Sequence, residues 1–461
     1  MQGTEPIETQ SKRNPAQISV VIPAFNAESY LRTCLEHLGR ATTPHECIVV
    51  DDGSTDATAE VARQYGATLM STGGRKGPAY ARNLGARAAL GDILYFIDAD
   101  VCVYPDTLAR VQASFENDPA LDAIIGSYDD SPLCQDFLSQ YKNLMHSYVH
   151  QNSKRQACTF WSGCGAIRKA VFVAHSGFDE TYKRPAIEDI ELGYRLARDK
   201  RKLVLDPQLR VKHLKAWSFM ALVKTDILDR GIPWSELILR DKRLPDDLNL
   251  QLSQRVSVAL AYLLIGTAAV GAIYAGATFV LPLLALLFLM LSGYEAESTW
   301  RRNPKATIGT IILVASIVVL AYSSNSPWLI PPVLLAYLLL FLRHRYAYGS
   351  ERRRQMTGIF CSVYLAFVVL FVLTYLPRHP LVFIFFLILS ILIALNSQFY
   401  VFLAGRTGRL LAMAAIPFHV LFHFYNGISF MIGLARHTVH RFASKKASVA
   451  QKQTFTASSN R

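Results

Sequence analysis

Between about residues 256 and 434 the chain turns apolar again and again, each time for close to the roughly 20 residues that a helix needs to cross a hydrocarbon layer. The runs are 256–274, 276–293, 306–322, 327–342, 357–376 and 380–400. No single water-facing core can bury that much apolar helix, so the chain must divide. Up to about Leu252 the pattern is that of an ordinary α/β globular protein, and the overall hydrophobic content of 51% is a local excess in the second half. The expected organisation is a polar tail over 1–17, an α/β domain over 18–235, a juxtamembrane linker over 236–255, a helical membrane domain over 256–434 and a basic polar tail over 435–461.

Charge orients this arrangement. Arg240-Asp241-Lys242-Arg243, Arg301-Arg302-Asn303-Pro304-Lys305, Arg343 to Arg354 and Arg406 to Arg409 are basic, whereas the turns near Ala275 and Ser323 to Ser326 are nearly uncharged. The positive-inside rule then gives about six spans, with the N-terminal domain and the Arg406 loop both cytoplasmic, in a multi-pass protein of the cell membrane. Leu376-Pro377-Arg378-His379-Pro380 breaks the alternation. Leu410 to Leu434 has basic residues at both ends and is expected as an interfacial or re-entrant helix rather than a seventh span. The net charge of +13 sits beside the apolar runs, which points to membrane lipid headgroups and away from nucleic acid. No span carries a central Asp or Glu, so a proton- or ion-coupled pump has no obvious relay. Seven scattered cysteines without a Cys-x-x-Cys pair, and a start without the apolar core of a signal peptide, fit a reducing cytosolic setting.

The first half alternates strand-like and helix-like stretches. Strands are expected at Ile18 to Ile22, Cys47 to Val50, Thr68 to Met70, Ile93 to Ile97, Asp122 to Ser127 and Leu203 to Leu205. Helices are expected at Glu28 to Arg40, Thr58 to Tyr65, Ala79 to Leu90, Asp106 to Glu116, Gln135 to Gln151 and from Glu188. Such alternation predicts a mostly parallel sheet flanked by helices, with binding loops beyond the carboxyl ends of its strands. At the end of the apolar run Ile93 to Ile97, Asp98 and Asp100 follow one residue apart. A period of two would send both carboxylates to one side, where a hard cation such as Mg²⁺ or Mn²⁺ would relieve their repulsion. The same pattern also suits an acidic turn without a ligand, so the rest of the chain has to decide.

Other stretches carry weaker signals. Phe160 to Arg168 mixes aromatics with small residues and suits either a loop for close substrate approach or a plain turn before a strand. Glu188 and Asp189 open a helix, where the macrodipole favours acids in any case. Trp217 to Leu228 is amphipathic and suits a bilayer-surface or a core-facing helix. His146 and His150 share a helical face and are expected on the helix surface.

Five motifs occur in order: Ile22-Pro23-Ala24-Phe25-Asn26-Ala27-Glu28, Val50-Asp51-Asp52-Gly53-Ser54-Thr55-Asp56, Arg82-Asn83-Leu84-Gly85, Asp98-Ala99-Asp100 and Glu188-Asp189. Together they make residues 16–235 resemble glycosyltransferase family 2. The resemblance implies a GT-A fold, a Rossmann-like, mostly parallel α/β domain, here followed by an all-α transmembrane domain. It implies that Pro23, Phe25, Asn26 and Glu28, with Asp51 and Asp52, form a nucleoside pocket, joined by Gly77 in the Gly-rich loop. It implies further that Arg82 faces a diphosphate, that Asp98 and Asp100 hold a divalent cation on a nucleotide sugar, and that Asp189 is the general base with Glu188 beside it. In some relatives a histidine near the position of His213 adds a metal or diphosphate contact; a surface histidine is the alternative. The processive synthases of the family carry Gln-x-x-Arg-Trp before the membrane region. Here that zone reads Asp229-Arg230-Gly231-Ile232-Pro233-Trp234, which argues against chain extrusion.

The expected activity is inverting sugar transfer from a nucleotide-diphosphate sugar to a lipid-linked or envelope glycan acceptor. Two other readings remain. One is a transport or assembly component whose domain only binds nucleotide sugar, and the other is a nucleotidyltransferase, which would release pyrophosphate.

Overall fold

The computed structural model describes residues 17–275 and 380–458. The tail before Gln17, the expected spans at 276–293, 306–322, 327–342 and 357–376, and the loops around Arg301 and Arg343 to Arg354 lie outside the described residues. The chain forms two compact units, Met1–Gln251 with Ile428–Arg461, and Leu252–Gly427.

In the first unit the chain runs β1 (Ile18–Ala24), α1 (Glu28–Leu38), β2 (His45–Asp51), α2 (Thr58–Gln64), β3 (Thr68–Ser71), α3 (Pro78–Ala88), β4 (Ile93–Ile97) and β5 (Val101–Val103). It continues with α4 (Thr107–Asn117), β6 (Ala123–Tyr128), α5 (Phe137–Gln151), β7 (Cys164–Arg168), α6 (Lys169–Ala174), α7 (Glu188–Arg198) and β8 (Leu203–His213). The strands make one eight-stranded sheet in the order β3-β2-β1-β4-β7-β6-β8-β5. Its β3-β2-β1-β4 half is parallel as expected, and β6 also pairs parallel with β8. The remaining pairings make the sheet mixed: β7 runs antiparallel to β4 and β6, and β5 runs antiparallel to β8.

One consequence of that order positions the site. β5 follows β4 after only Asp98-Ala99-Asp100, yet lies four strand positions away in the sheet. Four steps of about 4.8 Å amount to roughly 19 Å, while the four-residue reach from Ile97 to Val101 spans at most about 14 Å. The sheet must curl, and the Asp98 to Asp100 turn closes the curl. The three-residue β5 was invisible to periodicity because it is too short to show any.

Alternation along β1 and β4 explains the two-sided core. Ile18, Val20 and Ile22, with Ile93, Tyr95 and Ile97, pack toward α1, α2 and α4. Val21, Leu94 and Phe96 pack on the opposite face toward α3, α6 and α7. Every residue of β4 is buried, as an apolar run between two helical layers should be. Phe96 sits among Phe178, Phe172 and Phe160 at ring separations of 5.1, 5.3 and 6.3 Å, a cluster that ties β4 to the segments leading into α7.

After β8 come α8 (Phe219–Lys224), a π-helical segment (Thr225–Gly231) and α9 (Ile232–Asp241). The stretch Trp217 to Leu228 is therefore two helical pieces of different pitch. It buries Trp217, Leu222 and Asp226 and exposes Phe219, Met220 and Leu228.

In the second unit, α10 (Leu252–Ala275) contains Leu252–Tyr274, which is long and apolar enough to cross a membrane. The expected span at 380–400 is a pair of helices, Pro380–Leu395 and Ser397–Thr407, bent by 68° at Asn396. Asn396 stabilises this break: its side-chain amide donates to the Leu392 carbonyl and to Ser257 Oγ, both at 2.9 Å. Leu410 to Leu434, expected as interfacial or re-entrant, is part of one uninterrupted helix, Arg409–Ser458, whose Leu411–Phe442 stretch is also long and apolar enough to cross.

Helix α7 is seated directly against backbone. A methyl group on Gly193 would lie 2.1 Å from the Phe160 nitrogen and 2.4 Å from Thr159 Cα. Gly193→Ala should therefore lower stability by about 1–3 kcal/mol through overpacking, even though alanine is the better helix former by about 1 kcal/mol. Thermal melts of the full chain check this, and a raised melting temperature would contradict the contact.

Candidate active site

The loops that follow β1, β2, β3 and β4 gather at the carboxyl end of the parallel half-sheet. Two of them are tied together through Asn26 and Glu28, residues that were expected to face a nucleoside. Asn26 has left-handed backbone (φ 47°), and its Oδ1 accepts from the Thr55 backbone N–H at 2.8 Å and from the Thr55 hydroxyl at 3.3 Å. The Glu28 N–H donates to Asp56 at 3.1 Å.

Asp52 is buried and its carboxylate takes three hydrogen bonds. It accepts from Thr72 Oγ1 at 2.9 Å and from the backbone N–H groups of Lys76 and Gly77, each at 2.8 Å. It therefore shapes the loop before α3. The half-buried Asp51 carboxylate accepts the Ser54 N–H on Oδ1 at 3.0 Å. Gly77 (φ 98°) packs so closely on Lys183 that a Cβ would come within 2.6 Å of the Lys183 carbonyl. Phe25 is exposed, with the Arg75 guanidinium 4.3 Å from its ring centroid.

Beside these loops, within the first unit, lies a cavity of about 280 Å³. It is lined by Arg82, Asp98, Asp100, Glu188, Asp189 and His213 among others. Pro23, Phe25, Asn26, Glu28, Asp51, Asp52 and Gly77 do not line it.

Arg82, from the buried face of α3, is held between two carboxylates. Its Nη2 donates to Asp98 Oδ1 at 2.6 Å and its Nη1 to Glu188 Oε1 at 2.8 Å, with the guanidinium and Glu188 side chains each 5% exposed. Burial would weaken the guanidinium charge, but Asp98 and Glu188 more than restore it and hold the Arg82 pKa above its usual value. Glu188 also accepts the Ala186 N–H at 3.0 Å. Burial, and after it the neighbouring Asp189, raises the Glu188 pKa despite Arg82.

The expected convergence of Asp98 and Asp100 takes a different form. β4 ends at Ile97, so both acids sit in a turn and the two-residue period no longer governs them. Asp98 faces Arg82, whereas Asp100 Oδ2 lies 3.5 Å from His213 Nε2. His213 is buried at the end of β8, its ring stacked on Tyr128 with centroids 4.4 Å apart. Its Nδ1 lies 2.7 Å from Asn143 Oδ1, so Nε2 is the ring nitrogen that faces Asp100. Burial pushes the Asp100 carboxyl up, but His213 and Lys215 outweigh it and hold it below the usual carboxylate value.

Among the described residues no three His, Cys, Asp or Glu side chains form a ready-made metal cage. Asp100 and His213 instead offer two ligands. Adjacent octahedral ligands at about 2.1 Å from an ion lie about 3 Å apart, a spacing near the 3.5 Å between Asp100 Oδ2 and His213 Nε2.

Asp189 is half-buried at the start of α7. Its Oδ2 accepts both the N–H and the hydroxyl of Ser162 at 3.0 Å, and its Oδ1 accepts the Ile190 N–H at 2.8 Å. Ser162 belongs to the aromatic and small-residue stretch before β7. The adjacent Trp161 is locked at 4.8 Å from each of Tyr128, His146 and His150. His146 and His150 are therefore not on the surface. The face they share is the inner face of α5, their rings stack at 4.3 Å, and His150 donates to the Gly126 carbonyl at 3.0 Å. Burial pushes His150 down to about 4.

Sequence reasoning missed Asn143, Ser162, Lys215 and Arg230 as parts of this site. Only the composition around Ser162, and the Asp229-Arg230 departure, marked any of them.

Residues 19–175 match the family model described as glycosyl transferase family 2. A 4,4'-diaponeurosporenoate glycosyltransferase of Staphylococcus haemolyticus is 42% identical over 117 residues, 24% of this chain and 28% of that protein. A validoxylamine A glucosyltransferase of Streptomyces hygroscopicus subsp. limoneus is 31% identical over 218 residues, 39% of this chain and 47% of that protein. The chain thus spans less than half the length of these two curated relatives. Among solved structures, the mannosyltransferase PcManGT of Pyrobaculum calidifontis, with GDP-Man and Mn²⁺, aligns with a TM-score of 0.43 at 17% identity over 75% of this chain and 92% of that one. Residues 19–175 are a glycosyltransferase family 2 domain.

The Arg82 clamp can be tested through its energetics. Arg82→Gln should cost about 3–5 kcal/mol by leaving Glu188 buried without its partner. Adding Glu188→Gln should recover part of that loss, with a coupling of about 1–3 kcal/mol in a double-mutant cycle. Additive losses in denaturant melts would contradict the clamp.

Proposed function

We propose that the chain transfers one sugar, with inversion, from a nucleotide-diphosphate sugar to a hydroxyl of a lipid-linked or envelope glycan acceptor at the membrane. One observation carries this reading. A carboxylate in hydrogen-bonded position, Asp189, shares a single cavity with the Asp100 and His213 pair, so a base and a site for a charged leaving group meet in one space.

Each residue's role follows from its surroundings. Asp189 takes the proton of the attacking hydroxyl, while Ser162 fixes which oxygen faces the acceptor. Glu188 is spent on Arg82 and is not the base. Asp100 and His213 hold a divalent cation, Mg²⁺ or Mn²⁺, with Asn143 fixing the ligand tautomer of His213. Such an ion supplies charge stabilisation to the departing nucleoside diphosphate. Arg82 holds Asp98 in place rather than meeting the diphosphate with a free guanidinium, and Asp98 keeps Oδ2 for ribose or cation. The Asp51 side receives the nucleoside, and Asp52 shapes the loop that carries Gly77. A one-step displacement at the anomeric carbon inverts it.

The membrane reading, a multi-pass protein with its catalytic domain on the cytoplasmic side, is supported by the two apolar helices and by the cations at Arg240 to Arg243 and Arg406 to Arg409.

The purified full chain, given Mn²⁺ or Mg²⁺ and a panel of nucleotide sugars, should release nucleoside diphosphate. Asp189→Asn should lower kcat by about 10²–10⁴-fold with nucleotide binding unchanged. Release of pyrophosphate instead, or full turnover by Asp189→Asn, would contradict the mechanism.

A further inference from the structure

The cations of the cavity do not all have partners. Arg82 is neutralised by Asp98 and Glu188. Lys142 Nζ is bound to the buried Asp226 at 2.6 Å, and Asp229 is paired with Arg184 at 3.6 Å. That leaves Arg230 and Lys215. Both are half-buried, both line the cavity, and neither has a carboxylate within ion-pair distance among the described residues. Lys215 rests on the Trp217 ring, 4.3 Å from its centroid.

The backbone that presents Arg230 is unusual. Thr225–Gly231 is π-helical, a wide turn that is frequent at functional sites. It is braced immediately after Arg230: a Cβ on Gly231 would lie 2.6 Å from Ser429 Cβ, in the part of helix Arg409–Ser458 that belongs to the same unit. The positive field is felt by its neighbours. Burial, and then Asp226 in opposition and Arg230 in addition, leaves the Lys142 ammonium below its usual pKa, and burial with His150 and Arg230 holds His146 well below the usual histidine value. Positive charge without a close ion pair, held in a partly desolvated wall, is complementary to an anion.

We propose that Arg230 and Lys215 form a phosphate-binding site in the cavity, separate from Arg82, in which the guanidinium takes two phosphoryl oxygens side by side and the ammonium takes a third. The site rests on the transfer reading for its purpose. The phosphate belongs either to the leaving diphosphate of the donor or to a phosphate-bearing acceptor, and both present the same oxygens to these cations.

Isothermal titration of the full chain in detergent with Mn²⁺ separates the two, with inorganic pyrophosphate and farnesyl phosphate as probes. Arg230→Gln and Lys215→Gln should each weaken one probe by about tenfold or more, as expected for loss of a charge-assisted contact. Weaker pyrophosphate binding assigns the site to the donor. Weaker farnesyl phosphate binding with pyrophosphate unchanged assigns it to the acceptor. Arg230→Lys, which keeps charge but loses the fork, should fall between wild type and Arg230→Gln, and serves if Arg230→Gln does not fold. Unchanged affinities in folded variants, or a wild type that binds neither probe, would overturn the proposal. Neither titration requires turnover. A protein that binds these probes through Arg230 but releases no nucleoside diphosphate would contradict the transfer reading and leave the phosphate site standing.

Discussion

The rest of the site depends on one buried guanidinium. Arg82 cannot sit 4% exposed without counter-charges, and the two it takes come from elements far apart in the chain, the turn after β4 and the first turn of α7. That single demand draws α3, β4 and α7 to one point. It also sorts the acids. Asp98 and Glu188 are committed to Arg82, so Asp100 and Asp189 are left to face the cavity on other partners, His213 and Ser162.

The curled sheet makes this sorting possible. A flat sheet would leave the β4 end and the β8 end roughly 14 Å apart, three strand positions at about 4.8 Å each. Because the Asp98 to Asp100 turn must reach β5 at the far end of the strand order, the curl brings Asp100 to His213. The polar partners then refine each group: Asn143 sets the His213 tautomer, and Ser162 orients Asp189. The aromatic stack of Tyr128, Trp161, His146 and His150 fixes the wall behind them.

Much of this was legible in the sequence, and the failures have physical causes. Alternating apolar runs located β1, β2, β4 and β6 because each is buried on both faces, and the motif order located the Asp98, Arg82 and Glu188 positions. What could not be read was any property that depends on contacts between distant residues. Period two failed at Asp98 because the strand stops one residue earlier. His146 and His150 read as surface residues because helical spacing says which face they share and not which way it points. Arg82 read as a diphosphate-facing cation, and nothing local reveals that two carboxylates, 16 and 106 residues away, enclose it. Arg230 appeared only as a departure from a motif, and its place in the cavity depends on the π-helical turn that no propensity signals.

The central claim is a division of labour among four acids around one arginine. Manganese anomalous scattering from the full chain with a bound nucleoside diphosphate tests it most directly. The account predicts the ion bound by Asp100 and His213 Nε2, with Arg82 still seated between Asp98 and Glu188. An ion held by Glu188 and Asp189, or an Arg82 released from its carboxylates onto the diphosphate, would contradict it.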